Sequence, residues 1–250
     1  MSTVNTVIIP AAGMGNRLGD LTKNKPKCLV EVNGIPLLTR LLESLCLTGF
    51  EKIVLITGYK SELIEEYISN YNGSLKIETV HNPKFETTNN IYSVWLALSL
   101  LENTEAFTLI ESDLIFDYSI LSHFRQPDVI ALDIYNPCIH SGTIATVNPN
   151  GYLNALYVKS SPTDVPSIYK TVNITSFSDV SAMHFKRIMS EKIQQKMVSD
   201  YYEIVIQEMI QQRLSQFKMA DFTGVAWGEI DTKDDLERVS NQFELENLYI

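Results

Sequence analysis

Short apolar runs alternate with stretches of helical periodicity through the first half of the chain. The runs at 6–10, 53–57, 75–80, 107–113 and 129–135 have the length and composition of buried strands. Between them, the leucines of 37–45 and the apolar positions of 90–101 recur every three or four residues, which predicts helices. This alternation predicts βαβ units and a mostly parallel sheet.

The pattern changes in the second half. Residues 143–147 and 152–158 flank the sequence Asn148-Pro149-Asn150-Gly151, and Asn-Gly is a strong turn signal, so a β-hairpin is predicted. The following elements are then predicted: a strand at 169–177, helices at 179–196 and 200–214 (the second capped by Asp200), strands at 217–221 and 224–230, and a charged helix at 233–247. No repeat or linker divides the chain, so we predict one domain over residues 1–250.

Composition narrows the range of partners. The chain has 250 residues, 45% of them hydrophobic, and a formal net charge of −10. Such an acidic chain repels nucleic acid and anionic membranes, and no apolar run approaches the ~18 residues of a membrane span. The apolar N-terminal run reads as a buried strand rather than a signal peptide. Three cysteines without paired spacing, Cys28, Cys46 and Cys138, are expected to be reduced thiols, which favours a cytoplasmic protein.

The segment PAAGMGNRLGDLTKNKPKCLVEVNG, from Pro10 to Gly34, is the strongest chemical signal. Gly13 and Gly15 permit a turn whose backbone N–H groups can face a phosphate. Arg17 and Lys27 add cations that bind phosphate oxygens. The alternative is an ordinary strand–turn with surface cations, but the combination of AAGxGxR with KPK is more specific than a lone GxG. Neither a Walker A motif nor a dinucleotide fingerprint is present.

Two acidic pairs stand at predicted strand ends. Glu111 and Asp113 are two residues apart on a predicted strand and are expected to project from one face, as are Glu229 and Asp231. Carboxylates combined with phosphates are the ligands that Mg²⁺ prefers. The alternative for each aspartate is a helix or turn cap.

A polar run at 86–90 precedes the predicted helix at 90–101. Thr88, Asn89 and Asn90 are typical helix caps, which is the simpler interpretation. The run is longer than one cap requires, and its amides can also read the edge of a base.

The segment from Pro10 to Gly34 resembles the N-terminal motif of the nucleotide-diphospho-sugar transferase superfamily. This resemblance implies a Rossmann-like three-layer α/β/α fold with a mostly parallel mixed sheet, and a Mg²⁺-dependent nucleotidyltransferase. Lys27 and Arg17 are then the catalytic cations, and Asp113 and Asp231 the metal ligands. The implied nucleotide-binding residues are Ala11, Ala12, Gly13, Gly15, Thr88, Asn89, Asn90 and Ser112.

The run TTNNIYS resembles the phosphocholine and 2-aminoethylphosphonate cytidylyltransferases in particular. This implies CTP as the donor and a small phosphorylated or phosphonate acceptor, with residues 137–222 forming the acceptor-binding side. The implied acceptor-binding residues are Lys170, Tyr201, Tyr202, Glu203 and Glu229; the alternative is a sheet edge for the lysine and a helix core for the tyrosines. Those relatives carry a lysine before the hairpin, whereas this chain has Pro137-Cys138-Ile139-His140, which leaves the role of His140 open.

Two other functions fit the same residues. One is a sugar-1-phosphate nucleotidyltransferase that uses UTP, dTTP or GTP. The other is a regulatory homologue that binds nucleotide without catalysis, against which the joint presence of Arg17, Lys27, Asp113 and Asp231 argues. No pattern in the sequence predicts an oligomeric state.

Overall fold

The computed structural model describes residues 3–102, 104–160 and 168–245. Its strands are β1 Thr6–Pro10, β2 Glu31–Val32, β3 Ile35–Pro36, β4 Lys52–Thr57, β5 Lys76–His81, β6 Phe107–Ile110, β7 Leu114–Phe116, β8 Val129–Ile134, β9 Ile144–Val147, β10 Leu153–Tyr157, β11 Tyr169–Phe177, β12 Lys218–Asp221 and β13 Trp227–Glu229. Its α-helices are α1 Leu37–Leu47, α2 Ser61–Ser69, α3 Asn90–Leu98, α4 Asp179–Gln194, α5 Glu203–Gln211 and α6 Lys233–Leu245. Short 3₁₀ helices span Asn16–Leu21, Lys27–Leu29 and Tyr118–Arg125.

The central sheet has nine strands within the described residues. Strands β5, β4, β1 and β6 are parallel neighbours in that order. Strand β11 runs antiparallel to β6, and β8 pairs with the other edge of β11 and is followed by β12. The hairpin β9–β10 joins β11 beyond the end of β6. A separate ribbon pairs β7 with β13.

Alternation along β1 explains why helices cover both faces of the sheet. Val7 and Ile9 belong to the apolar cluster that includes Leu38 and Leu41 of α1. Ile8 belongs to the opposite cluster, which includes Val94 of α3 and helices α4 and α5. Successive strand residues point to opposite faces, so a continuous apolar run requires helices on both sides. The predicted three-layer α/β/α fold with a mixed sheet is confirmed.

The sequence places most elements correctly, including the hairpin around Asn148–Gly151, but two predictions are wrong. The strand predicted at 107–113 ends at Ile110, and the chain turns through Glu111 to Asp113 before β7 begins. Glu111 and Asp113 therefore lie on a turn, so the alternation of side chains along a strand does not determine where they point. Asp200 does not cap α5: the cap position is Tyr202, and the Asp200 carboxylate pairs with Lys159 at 2.9 Å.

Across the described residues, each helix is too short or too polar to cross a lipid bilayer.

Candidate active site

A cleft of about 720 Å³ opens at the carboxyl ends of β1 and β6. Parallel α/β sheets bind ligands at this edge because the loops that follow the strands meet there. The cleft is lined by all the predicted site residues except Tyr202: Ala11, Ala12, Gly13, Gly15, Arg17, Lys27, Thr88, Asn89, Asn90, Ser112, Asp113, Lys170, Tyr201, Glu203, Glu229 and Asp231. The structure therefore brings together residues from both ends of the chain.

The glycine-rich turn after β1 depends on Gly15. Its φ of 63° lies in the left-handed region that disfavours side chains. A Cβ at this position would lie 3.1 Å from Thr22 Cγ2 and 3.2 Å from Lys27 Cβ. The turn is closed by the Thr22 hydroxyl, which donates to the Gly15 carbonyl at 2.9 Å. The absence of a side chain at Gly15 thus lets the Lys27 segment pass close to the turn.

Lys27 lies between two aspartates from distant parts of the chain. Its Nζ is 2.5 Å from Asp113 Oδ2 and 2.6 Å from Asp231 Oδ1. The three side chains are each only 14% exposed. Burial lowers the pKa of Lys27, but the two carboxylates more than offset this and raise it above its usual value. The lysine therefore stays charged in the cleft.

Asp231 binds a second cation on the same oxygen. Arg17 Nη2 lies 2.8 Å from Asp231 Oδ1, and the Arg17 side chain is 66% exposed. The backbone N–H of Asp231 donates to Asp235 Oδ2 at 3.3 Å. Both cations that the sequence assigns to phosphate binding are thus adjacent to the predicted metal ligands.

The donor set around Asp113 has the chemistry of a divalent-cation site. Among the described residues, Asp113 Oδ1 is buried without a hydrogen-bond partner. One oxygen each of Glu111, Asp113 and Glu229 lie within 4.8 Å of one another. Hard carboxylate oxygens of this kind are what Mg²⁺ takes as ligands, so the group fits a divalent cation. It contains Asp113 but not Asp231, whose role as a metal ligand stays a prediction.

The same cleft contains a chamber of carboxylates, formed by the half-buried Glu111 and Glu229 and the buried Glu203. Burial raises the pKa of each, to about 7 for Glu229, and the neighbouring carboxylates raise the pKa of Glu111 further. Lys170 is the cation of this chamber: its Nζ lies 3.7 Å from Glu229 Oε2 and donates to the Thr171 carbonyl at 2.6 Å. Glu203 is 7% exposed, and within the described residues its Oε2 has no partner. The chamber therefore has unused capacity to accept a donor or a cation.

Two amides hold Glu111 in the chamber. Asn90 Nδ2 donates to Glu111 Oε1 at 3.1 Å, and Asn173 Nδ2 donates to Oε2 at 3.3 Å. Asn173 lies in the middle of β11 at φ 60°, where the register with β8 shifts between Thr171 and Thr175. Asn173 was not among the predicted site residues, although an asparagine inside an otherwise apolar and Thr-rich strand was a usable signal.

The polar run before α3 has structural bonds as well as access to the cleft. The Asn89 side chain accepts from the Asn90 backbone N–H at 2.7 Å, which makes it the cap of α3. Thr88 Oγ1 donates to the Lys84 carbonyl at 2.8 Å. Across the cleft, Ser112 Oγ donates to the Pro10 carbonyl at 2.8 Å. The helix-cap interpretation is correct for Asn89, and the role of this run in binding a base stays a prediction.

The two tyrosines of the predicted acceptor side have different positions. Tyr201 lines the cleft at 38% exposure, and Lys159 Nζ lies 5.1 Å from its ring centroid. Tyr202 is only 1% exposed and packs in the core under the cleft, while its backbone N–H donates to Asn90 Oδ1 at 2.9 Å. The prediction that Tyr202 faces the acceptor is wrong because α5 turns this side chain into the apolar core.

His140 lies outside the main cleft, in an adjoining cavity of about 230 Å³. Its Nδ1 accepts from the Asn136 backbone N–H at 3.1 Å, and its ring lies 5.5 Å from the ring of Trp227. Burial lowers its pKa, so it is a neutral imidazole near pH 7. These contacts give His140 a structural role in the loop that precedes the hairpin.

The fold is similar to that of nucleotidyltransferases of known structure. The chain is similar in structure to the CTP:phosphocholine cytidylyltransferase of Streptococcus pneumoniae, with a TM-score of 0.82 at 21% identity over 96% of this chain and 100% of that one. Residues 7–129 match the family described as MobA-like NTP transferase domain. This match covers just under half of the chain.

Two relatives are similar in sequence. The chain is 28% identical to the CMP-5'-(3-aminopropyl)phosphonate synthase of Streptomyces rubellomurinus over 243 residues, 94% of this chain and 38% of that protein. It is 35% identical to the 2-aminoethylphosphonate cytidylyltransferase of Lancefieldella rimae over 120 residues, 48% of this chain and 46% of that protein. The chain thus spans less than half the length of either relative.

Proposed function

We propose that this protein is a cytidylyltransferase that transfers CMP from CTP to a small phosphorylated or phosphonate acceptor and releases pyrophosphate. The observation that carries the proposal is the meeting of Lys27, Asp113 and Asp231 beside the glycine-rich turn, with Lys27 Nζ within 2.6 Å of both carboxylates. The names of the two relatives support cytidylyl transfer to a phosphonate as the reaction.

The chemistry needs positioning and charge neutralisation more than proton transfer. An oxygen of the acceptor phosphate or phosphonate is already anionic near pH 7, so it attacks the α-phosphorus without a general base. The bond from the α-phosphorus to the bridging oxygen breaks, and pyrophosphate leaves with the electron pair. Arg17 and Lys27 stabilise the charge on the phosphates. Mg²⁺ held by Asp113 and Asp231 would supply further neutralisation.

The nucleotide occupies the side of the cleft formed by the glycine-rich turn and the start of α3. Backbone N–H groups around Gly13 and Gly15 face phosphate oxygens, as in other glycine-rich turns. Thr88, Asn90 and Ser112 also line the cleft. Their hydroxyl and amide groups are suited to the polar edge of cytosine.

The acceptor occupies the chamber of Glu111, Glu203 and Glu229. The chamber combines three carboxyl groups, whose pKa values burial raises, with the lysine Lys170. An ammonium group on the acceptor would favour their ionised forms and pair with them, and the ring of Tyr201, beside Lys159, forms part of the cleft wall. We therefore assign the acceptor to phosphorylated or phosphonate amines, with its anionic end toward Lys27.

The test is a matrix of nucleotides and acceptors with pyrophosphate release as the readout. CTP, UTP, dTTP and GTP are each combined with 2-aminoethylphosphonate, phosphocholine, glycerol 3-phosphate and glucose 1-phosphate, with Mg²⁺ present. We expect turnover with CTP and an amine-bearing acceptor, and at least about tenfold lower kcat/KM for acceptors without an amine. Preference for a sugar phosphate with UTP, dTTP or GTP would overturn the assignment, as would nucleotide binding without turnover across the matrix.

A further inference from the structure

The two cations that are predicted to bind phosphate lie on the two predicted metal ligands. Lys27 Nζ bridges Asp113 Oδ2 and Asp231 Oδ1 at 2.5 and 2.6 Å, and Arg17 Nη2 contacts the same Asp231 oxygen at 2.8 Å. An ammonium that contacts both carboxylates occupies the space that a divalent ion would need, since Mg²⁺ binds its oxygens at roughly 2.0–2.1 Å.

We propose that Lys27 is an internal competitor for the metal: it fills the site between Asp113 and Asp231 until a nucleotide draws it onto its phosphates. This inference rests on the proposed function, which assigns the aspartates to a metal and Lys27 to phosphate. Metal and nucleotide binding are then thermodynamically linked, because each favours the state in which Lys27 has left the carboxylates.

Charge explains why the competition is strong. Two carboxylates alone present a charge of −2 to an incoming cation, whereas with Lys27 between them the group carries −1, and Arg17 reduces it further. The side chains of Lys27 and both aspartates are 14% exposed, so solvent screens these interactions only partly. Without nucleotide, a metal must therefore displace an enclosed cation from both carboxylates.

The two cations are not equally free to move. The Arg17 side chain is 66% exposed, so it leaves Asp231 at little cost. Lys27 is enclosed by the glycine-rich turn: a Cβ placed on Gly15 would lie only 3.2 Å from the Lys27 Cβ. Its ammonium can therefore move mainly within the cleft, toward the glycine-rich turn where the phosphates bind. The linkage consequently depends mostly on Lys27.

The experiment measures Mn²⁺ binding to nucleotide-free protein by the electron paramagnetic resonance signal of unbound Mn²⁺. The proteins are the wild type, Lys27→Met and Arg17→Met. Lys52→Met is the matched control, because Lys52 also lies between two carboxylates, Glu78 at 3.9 Å and Glu105 at 3.6 Å, and does not line the cleft. We expect Lys27→Met to bind Mn²⁺ at least about tenfold more tightly than the wild type, Arg17→Met to show a smaller gain, and the control to change less than twofold.

A thermal-unfolding series covers the case in which Lys27→Met is unstable. Removing the lysine leaves two close carboxylates, so the variant should melt below the wild type without metal and gain more than the wild type when Mn²⁺ is added. Lys27→Gln should behave in the same way. Equal or weaker Mn²⁺ affinity in both variants would overturn the proposal. Neither measurement contains CTP, so a failure of the proposed reaction would be seen separately, in the nucleotide matrix.

Discussion

Lys27 is the side chain on which the proposed chemistry depends most directly, because it contacts carboxylates 86 and 204 residues away in the sequence. We expect Lys27→Ala to lower kcat by about a hundredfold or more, the scale of one preorganised charge contact. Initial rates of pyrophosphate release at saturating CTP measure this, with Lys52→Ala as the control for loss of one lysine. A Lys27→Ala protein with near-normal kcat would remove Lys27 from the mechanism.

Glu203 should make stability depend on pH in a defined direction. Burial raises its folded-state pKa above the ordinary value, so between those two values the folded state binds more protons than the unfolded state. Stability is therefore lost as pH rises through this range, and a neutral glutamine should avoid the loss. We expect Glu203→Gln to unfold at a temperature higher by about 2–4 °C at pH 8, roughly 1 kcal/mol for a domain of this size, and to match the wild type near pH 4.

Scanning calorimetry at pH 4, 6 and 8 measures this dependence. Gln207→Glu is not a suitable control, because its amide donates to the Leu156 carbonyl at 2.8 Å. Glu62→Gln is better, since Glu62 lies on exposed helix α2. The prediction fails if Glu203→Gln is less stable than the wild type at pH 8, or if the stability difference between the two proteins does not change with pH. Either result would show that ionising the buried Glu203 carboxylate does not destabilise the folded state.

Sequence and structure agree best on residues that were predicted from a motif or from their charge. Arg17, Lys27, Asp113 and Asp231 follow from a motif and from acidic residues at strand ends, and the structure brings them together. The contact of Asn173 with Glu111 could not be predicted in the same way. It requires an irregularity in β11 that no local sequence pattern predicts. Tyr202 was misplaced because adjacent tyrosines look alike in sequence, while the start of α5 sends one outward and the other inward.

At the level of elements, the irregularity in β11 places Asn173 beside Glu111 of the carboxylate chamber. Asn173 adopts φ 60° and directs its amide to Glu111 at 3.3 Å. We expect Asn173→Gly and Asn173→Ala both to raise KM for 2-aminoethylphosphonate several-fold with little effect on KM for CTP. The alanine variant should be about 1 kcal/mol less stable than the glycine variant, because glycine adopts the left-handed region freely and alanine does not. Steady-state kinetics and denaturant unfolding measure the two effects.

Equal stability of the two Asn173 variants would mean that β11 relaxes out of the left-handed conformation. An unchanged acceptor KM in both would mean that Glu111 does not need the amide. Either result would weaken the link between this strand and the chamber.

Element prediction succeeds where the signal is local and fails where tertiary contacts decide. The apolar run of β1 and the Asn-Gly turn of the hairpin are local signals, and both elements form as expected. The pairing of β7 with β13 was not predicted, because each strand has only three residues and the paired residues are more than a hundred positions apart in the sequence. The early end of β6 has the same origin: the chain leaves the sheet where β7 turns to meet β13.

Across the whole molecule, the cleft joins the N-terminal turn, the end of β6 and the segment after β13. Binding of Mg²⁺ and CTP to this junction should stabilise the folded state by RT ln(1 + [L]/Kd), about 2.7 kcal/mol at a hundredfold excess over Kd. For a chain of this size that corresponds to about 5–11 °C in melting temperature. Because ligands contact residues from both halves of the chain, the increase should appear in one cooperative transition.

Differential scanning fluorimetry with Mg²⁺ and CTP tests this, with UTP at the same concentration as the comparison and Lys27→Ala as the variant that should lose most of the shift. Tryptophan fluorescence adds a second probe, since Trp95 lies on α3 in the first half of the chain and Trp227 on β13 in the second half. Coincident transitions that both move with CTP would show that nucleotide binding stabilises the two halves together. Separate transitions, with only one shifted, would show that Asp231 and its segment do not share the ligand with Lys27, and the site as described would then be divided.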